Sequence, residues 1–227
     1  MSQTFIAPWG SGLSRVFFAL VLVGILGACA TPQPYDYTAF KQARPASMLV
    51  LPPANDSPEA MATYGVLSQV TLPLAEAGYY VIPVSLMDET FKQNGIMDAA
   101  QTHELPAQKL REIFGADAAV YIRIKQYGTR YQVIASETLV EVEGRMVDLR
   151  SGQLLWEGKA RASSAENRNN NQGGPIGMLI SALVNQIMET ATDASFQYAG
   201  LASQRLLGVG TYNGVLPGPR SPLYEKR

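Results

Sequence analysis

The sequence predicts an α+β domain on a mixed sheet of about five strands packed with helices, and three observations predict it. Two short apolar runs flank a helical stretch within residues 48–82, the order of a parallel βαβ unit. Val120, Ile122 and Ile124 alternate with Tyr121, Arg123 and Lys125, which marks a strand with one wet face. Two extended stretches then meet at Arg150-Ser151-Gly152, the signature of an antiparallel hairpin later in the chain.

Taken in order, Met48-Leu49-Val50-Leu51 is a buried strand stopped by Pro52-Pro53. Ser57-Pro58-Glu59 has the form of a helix start: a capping hydroxyl, proline at the first helical position and an acid in the first turn. That helix runs toward Ala77. Pro73 should kink or split it, because proline has no amide to bond back to Gln69, and Gly78 should close it. Tyr79-Tyr80-Val81-Ile82 is the second strand. Helices follow over Leu86 to Gln93 and over Pro106 to Phe114, with Gly115 as the stop of the latter. From Arg130 to Leu149 the chain reads as extended, with a change of apolar phase near Glu137 that predicts a bulge there.

The hairpin register can be derived. A three-residue loop between Leu149 and Gln153, with Gly152 left-handed, sets Arg145 opposite Glu157, Glu143 opposite Lys159 and Glu141 opposite Arg161. These opposite-charge pairs line one face. The other carries Met146 opposite Trp156 and Val142 opposite Ala160, and so should be the core side.

After a polar loop at 167–174, Pro175 opens a last long helix. Ile176, Leu179, Ile180, Leu183, Ile187 and Ala191 share one face, and Met178, Ala182, Val184 and Met188 widen the apolar surface beyond a single stripe. Two uses fit such a helix: burial between the sheet and the C-terminal tail, or a subunit contact through Met178, Ala182 and Met188, methionine being adaptable at interfaces. Beyond Gly200 the chain is rich in Gly and Pro and reads as a tail.

Composition excludes much. The 227 residues carry 18 Lys+Arg against 19 Asp+Glu, a net charge of -1, with 47% hydrophobic and 16% charged residues. Near-neutrality supplies no basic footprint for nucleic acid, and the hydrophobic content is too high for disorder. A single Cys leaves no internal disulfide or Cys-based zinc site, and a single His leaves no two-His metal motif, so neither a metal nor a cofactor is expected.

Arg15 precedes the apolar run VFFALVLVGILGA (16–28), and the lone Cys29 follows it. The run is too short to span a membrane, which takes roughly 20 residues, and fits the apolar core of a secretory signal. Leu26-Gly27-Ala28-Cys29 resembles the bacterial lipobox. That resemblance implies removal of residues 1–28, lipidation of Cys29 including an amide-linked acyl chain such as palmitate, and, with Ala30 next, sorting to the outer membrane. Several acyl chains make a stable anchor where one does not. The expected organisation is a signal peptide at 1–28, a lipidated tether at 29–46, an α+β domain at 47–199 and a tail at 200–227. Arg15 is the only charge removed, so the mature chain keeps 17 basic and 19 acidic side chains.

Candidate chemistry is thin. His103, in a polar stretch before a helix, reads as a solvated loop histidine rather than a general base. Asp88-Glu89 point about 100° apart on a helix and read as acids favoured near a helix start rather than a catalytic pair. The stripe Tyr121, Arg123, Lys125, Tyr127 reads as a solvated strand face rather than a binding face. Gly208 to Gly214 misses the G-x-G-x-x-G spacing by one residue and follows no strand, so it is turn-rich tail. No catalytic residue is assigned.

The lipobox, MLVLPPANDSPEA (48–60), PLAEAGYYVIPVSLMDETFKQNG (73–95), FGADAAVYIRIKQYG (114–128), EGRMVDLRSGQLLWEG (143–158) and LPGPRSPLY (216–224) together resemble a lipoprotein family of unknown function typified by a meningococcal surface antigen. The resemblance implies a lipid-anchored protein on the periplasmic face of the outer membrane, with a fold similar to the TolB N-terminal domain. It also implies partners in envelope secretion or transport, a CsgG-like lipoprotein and a second small lipoprotein, with a homo-oligomer as the other arrangement. It brings no catalytic residue. A non-enzymatic assembly or accessory component is therefore the reading of function, against a metal-independent periplasmic hydrolase or a module binding a small ligand or cell wall.

Overall fold

Met48, Leu49 and Val50 are fully buried, as a strand covered on both faces must be, and they sit at the parallel heart of the sheet. The computed structural model describes residues 34–130, 137–166 and 194–224. Its strands are β1 (Ser47–Val50), β2 (Ala54–Asn55), β3 (Tyr80–Val81), β4 (Ala118–Arg130), β5 (Glu137–Asp148) and β6 (Leu154–Ser163). Its helices are α1 (Thr38–Ala43), α2 (Ala62–Glu76), α3 (Val84–Gln93), α4 (Ala99–His103), α5 (Ala107–Phe114) and α6 (Ala194–Leu207). The sheet runs β3-β1-β4-β5-β6, with β2 also on β4. β1 is parallel to β3 and β4, whereas β4, β5 and β6 are antiparallel. The fold is the predicted α+β class with a mixed sheet.

The hairpin pairs are those derived from sequence: Arg145 faces Glu157, Glu143 faces Lys159, Glu141 faces Arg161, and Met146 faces Trp156. Trp156 is 1% exposed, which makes its face the core side. The turn itself differs. Asp148 N–H donates to the Gln153 carbonyl, so the loop is one residue longer, and Val147 faces Leu154. A bulge at Leu155 restores the derived register beyond it. Gly152 is left-handed at φ 75. Of the three charge pairs only Lys159 and Glu143 meet, at 3.4 Å; Arg161 reaches Glu137 at 3.1 Å, and the Arg145 guanidinium lies over the Tyr121 ring.

Other expectations change for identifiable reasons. α2 begins at Ala62, not at Ser57, because the Asn55 side-chain oxygen accepts from both the amide (2.9 Å) and the hydroxyl (2.7 Å) of Ser57 and holds that stretch in a turn. Pro73 lies inside α2 without splitting it; its missing amide forgoes only the one bond back to Gln69. Gly78 closes α2 at φ 92, and a Cβ there would fall 2.3 Å from the Ser221 amide nitrogen. A bulge lies at Lys125 in β4, between Ile124 and Gln126, and turns Tyr127 onto the core face beside Ile124. The expected bulge near Glu137 borders residues 131–136, outside the described residues.

The tether and tail boundaries also move. Phe40 of α1 is fully buried, and α6 runs across Gly200 to Leu207, burying Ala202 and Leu206 against the sheet. Beyond it the chain is tied down. Trp156 Nε1–H donates to Asn213 O at 2.9 Å, the Tyr79 hydroxyl to Leu216 O at 2.5 Å, and Gly218 N–H to Ala77 O at 2.7 Å. Buried carbonyls need donors, and these supply them. Gly and Pro here let the backbone lie close to the domain rather than leave it.

Candidate partner-contact cleft

The site begins with two prolines. Leu51 N–H donates to Val120 O at 3.1 Å, but Pro52 and Pro53 have no amides, and pairing resumes only where Ala54 faces Arg123. Three residues, Leu51 to Pro53, therefore face two, Tyr121 and Ile122. The interrupted ladder turns the Pro52 carbonyl toward α4, where His103 Nε2 meets it at 2.9 Å. A carbonyl only accepts, so Nε2 carries the hydrogen. The imidazole also stands edge-on to Tyr121, with ring centroids 5.3 Å apart. Burial lowers the His103 pKa; the Pro52 hydrogen bond opposes this, and the Arg145 and Arg123 cations add to the lowering. His103 is thus a half-buried, neutral residue at the end of a helix, not the solvated loop histidine expected.

Beside this corner β2, α2, α3 and α4 enclose a cleft of about 420 Å³. Pro52, Ala54, Phe91 and Thr102 form part of its wall, and Asp56, Asp88 and Asp98 bring carboxylates to it. Each carboxylate has a task. Asp56 binds Lys125 at 2.7 Å and Arg123 at 2.9 Å; the Lys125 bond, above all, holds its carboxyl below the usual range. Asp88 pairs with Lys92 at 2.6 Å, one helical turn on, and Glu89 accepts from Gln93 at 2.8 Å. These acids are mid-helix partners, since the first turn of α3 holds none, which corrects the helix-start reading. Asp98 caps α4, accepting Ala100 N–H at 2.9 Å.

The rim is apolar and open. Tyr64 is 45% and Met97 74% exposed, and Met61, 69% exposed, lies one turn before Tyr64. Lys92 Nζ stands 5.4 Å from the Tyr64 ring centroid. Sequence reasoning passed over these residues. Asp98 before Ala99-Ala100 was a helix-start signal that could have revealed α4, but nothing local joins Tyr64 to Met97. A second recess of about 520 Å³ is lined by Tyr80, Leu86 and Ile113.

The stripe read on β4 is divided. Tyr121 lies under Arg145, Arg123 and Lys125 share Asp56, and Tyr127 faces the core. Cys29, Met178, Ala182 and Met188 lie outside the described residues. Among the described residues no group of three His, Cys, Asp or Glu side chains is placed to hold a metal ion, and no helix is long and apolar enough to cross a membrane.

Fold and cleft together define an α+β module with an apolar-rimmed recess whose acids are already bound. The chain belongs to the family described as "Putative lipoprotein GNA1162-like", whose profile matches residues 35–220. It is 45% identical over 210 residues to "Putative lipoprotein NMB1124/NMB1162" of Neisseria meningitidis serogroup B, covering 92% of this chain and 97% of that protein. It also resembles the crystal structure of lipoprotein GNA1162 from Neisseria meningitidis, at 48% identity and a TM-score of 0.51, covering 64% of this chain and 100% of that one. A lipoprotein of this family is held in the cell envelope through a membrane anchor.

Proposed function

We propose that this protein is an outer-membrane lipoprotein, anchored on the periplasmic face through acyl chains on Cys29 after loss of residues 1–28. Held there, it serves as a non-enzymatic accessory component of an envelope secretion or transport complex. The observation that carries the proposal is the cleft at the β2 corner: its exposed Tyr64 and Met97 offer apolar area, while its carboxylates are already engaged. Apolar area drives association at about 25 cal/mol per Å² before the entropy of binding is subtracted. A carboxyl serving as a general acid has a raised pKa; that of Asp56, in the cleft, is displaced downward by its bonds to Lys125 and Arg123. A CsgG-like lipoprotein and a second small lipoprotein are the partners proposed, and Met178, Ala182 and Met188 a further contact surface.

A photo-crosslinking residue in place of Met97, in the full-length chain in native membranes, tests this reading. Adducts with an envelope protein, lost on Tyr64→Asp, are expected. Adducts with none, or unchanged capture by Tyr64→Asp, would refute the cleft as the contact. Mass spectrometry of the mature N-terminus tests the anchor, since an unmodified Cys29 or an intact 1–28 segment excludes it.

A further inference from the structure

Among the described residues β6 ends the sheet, with β5 as its one strand neighbour. Ser164 N–H donates to Thr138 O, so from Trp156 onward even-numbered residues turn their backbone groups toward β5 and odd-numbered ones turn outward. Two of the outward groups at the far end are covered. Arg161 O accepts from Arg205 at 2.5 Å and Ser163 N–H donates to Glu166 at 2.9 Å, while Arg205 and Glu166 pair at 2.7 Å. At the near end Arg150 donates to Ala43 O at 2.7 Å, which fixes α1 beside the hairpin turn. Between these clamps lie Glu157, Gly158 and Lys159.

We propose that this window pairs, antiparallel, with the same window of a second copy of the chain, about a two-fold axis through Gly158. The charges select that register. With the axis at Gly158, Glu157 of each copy faces Lys159 of the other. With the axis at residue 157, glutamates face each other, and at residue 159, lysines do. Edge strands usually repel their own kind by carrying lysine; an edge that alternates Glu and Lys around a glycine attracts it. Glu157 is available for this because Arg145, its partner across the hairpin, stacks on Tyr121, and among the described residues Glu157 forms no ion pair. Lys159, 76% exposed, reaches Glu143 only at 3.4 Å. Steric fit agrees. Gly158 puts no side chain on the axis, and on the core face Trp156 comes opposite the small Ala160 of the other copy.

The pairing supplies about four backbone hydrogen bonds, a contact below the size of standard stable interfaces. A membrane anchor offsets this, because tethered copies meet at high effective concentration. Self-association should therefore be a property of the anchored protein.

Energy transfer between donor- and acceptor-tagged full-length copies in native membranes tests it. Glu157→Lys alone and Lys159→Glu alone each place like charges at both contacts and should weaken association about tenfold. Co-expressing Glu157→Lys with Lys159→Glu makes both contacts complementary again and should restore transfer to the wild-type level. So should the double exchange in one chain, which also guards against a single variant that folds poorly. Single variants that associate like wild type would overturn the proposal. Weakened singles that neither co-expression nor the double exchange rescues would overturn it too, and would assign the edge to a strand of another protein.

Discussion

Beyond the bulge at Leu155 each pair of the β5–β6 hairpin hands its order to the next, so that Trp156 opposite Met146 fixes Gly158 opposite Gly144 and Ala160 opposite Val142. At the β1–β2 corner three residues face two, and the polar group set loose, the Pro52 carbonyl, is met by an imidazole 51 residues away. An intact ladder propagates locally. An interrupted one draws its partners from distant sequence, and beside this interruption lies the cleft.

Substitutions at four positions measure how far that contrast holds. Trp156→Ala should remove about 3–5 kcal/mol from the unfolding free energy, because it empties a fully packed site and deprives Asn213 O of its donor; denaturant titration reads this. Asp148→Ala should cost about 1–3 kcal/mol, since the carboxylate accepts the Arg150 and Ser151 amides, each at 2.8 Å, at the turn that starts the hairpin. Burial pushes the Asp148 carboxyl up, but the Ser151 and Arg150 hydrogen bonds together outweigh it and leave its pKa below the usual value. Its contribution is thus present above the unfolded carboxylate pKa of about 3.9 and lost as pH falls through the lower folded value. Asp148→Asn should flatten that acid limb.

At the corner, His103→Phe should cost about 1 kcal/mol at neutral pH, the worth of the Pro52 bond, while keeping an aromatic edge against Tyr121. The folded His103 pKa is lowered, so the unfolded chain binds the proton more readily. Wild-type stability should therefore be complete above a pH of about 6.5 and decline below it, toward the folded value; the variant should lack this decline in pH-dependent thermal unfolding. Lys159→Ala should change the stability of the domain by less than about 0.5 kcal/mol, because both it and its 3.4 Å contact are exposed.

The sequence carried the hairpin register because alternation has a period that can be read on one strand and projected onto the next. It carried the stops at Gly78 and Gly115 because both need positive φ, 92 and 67. It did not carry the start of α2, where the capping pattern at Ser57 competes with Asn55, two residues away. Nor did it carry the docking of Phe40 and of the residues after Gly200, whose contacts with Tyr79, Ala77 and Trp156 have no periodic trace. The cleft was illegible for the same reason: Tyr64 and Met97 lie on separate elements brought together by the fold. The anchor proposed at Cys29 rests on a different kind of signal, the local resemblance of Leu26-Gly27-Ala28-Cys29 to a processing site.

Trp156 has an optical consequence. The chain contains two tryptophans, Trp9 and Trp156, and the proposed removal of residues 1–28 would leave only the second. Its indole donates to Asn213 O and spreads over Gly158. Emission from a chain so processed would come from a single buried fluorophore that touches both the C-terminal segment and the centre of β6. Detachment of that segment should red-shift the emission before the sheet itself melts, giving a label-free signal at the strand edge.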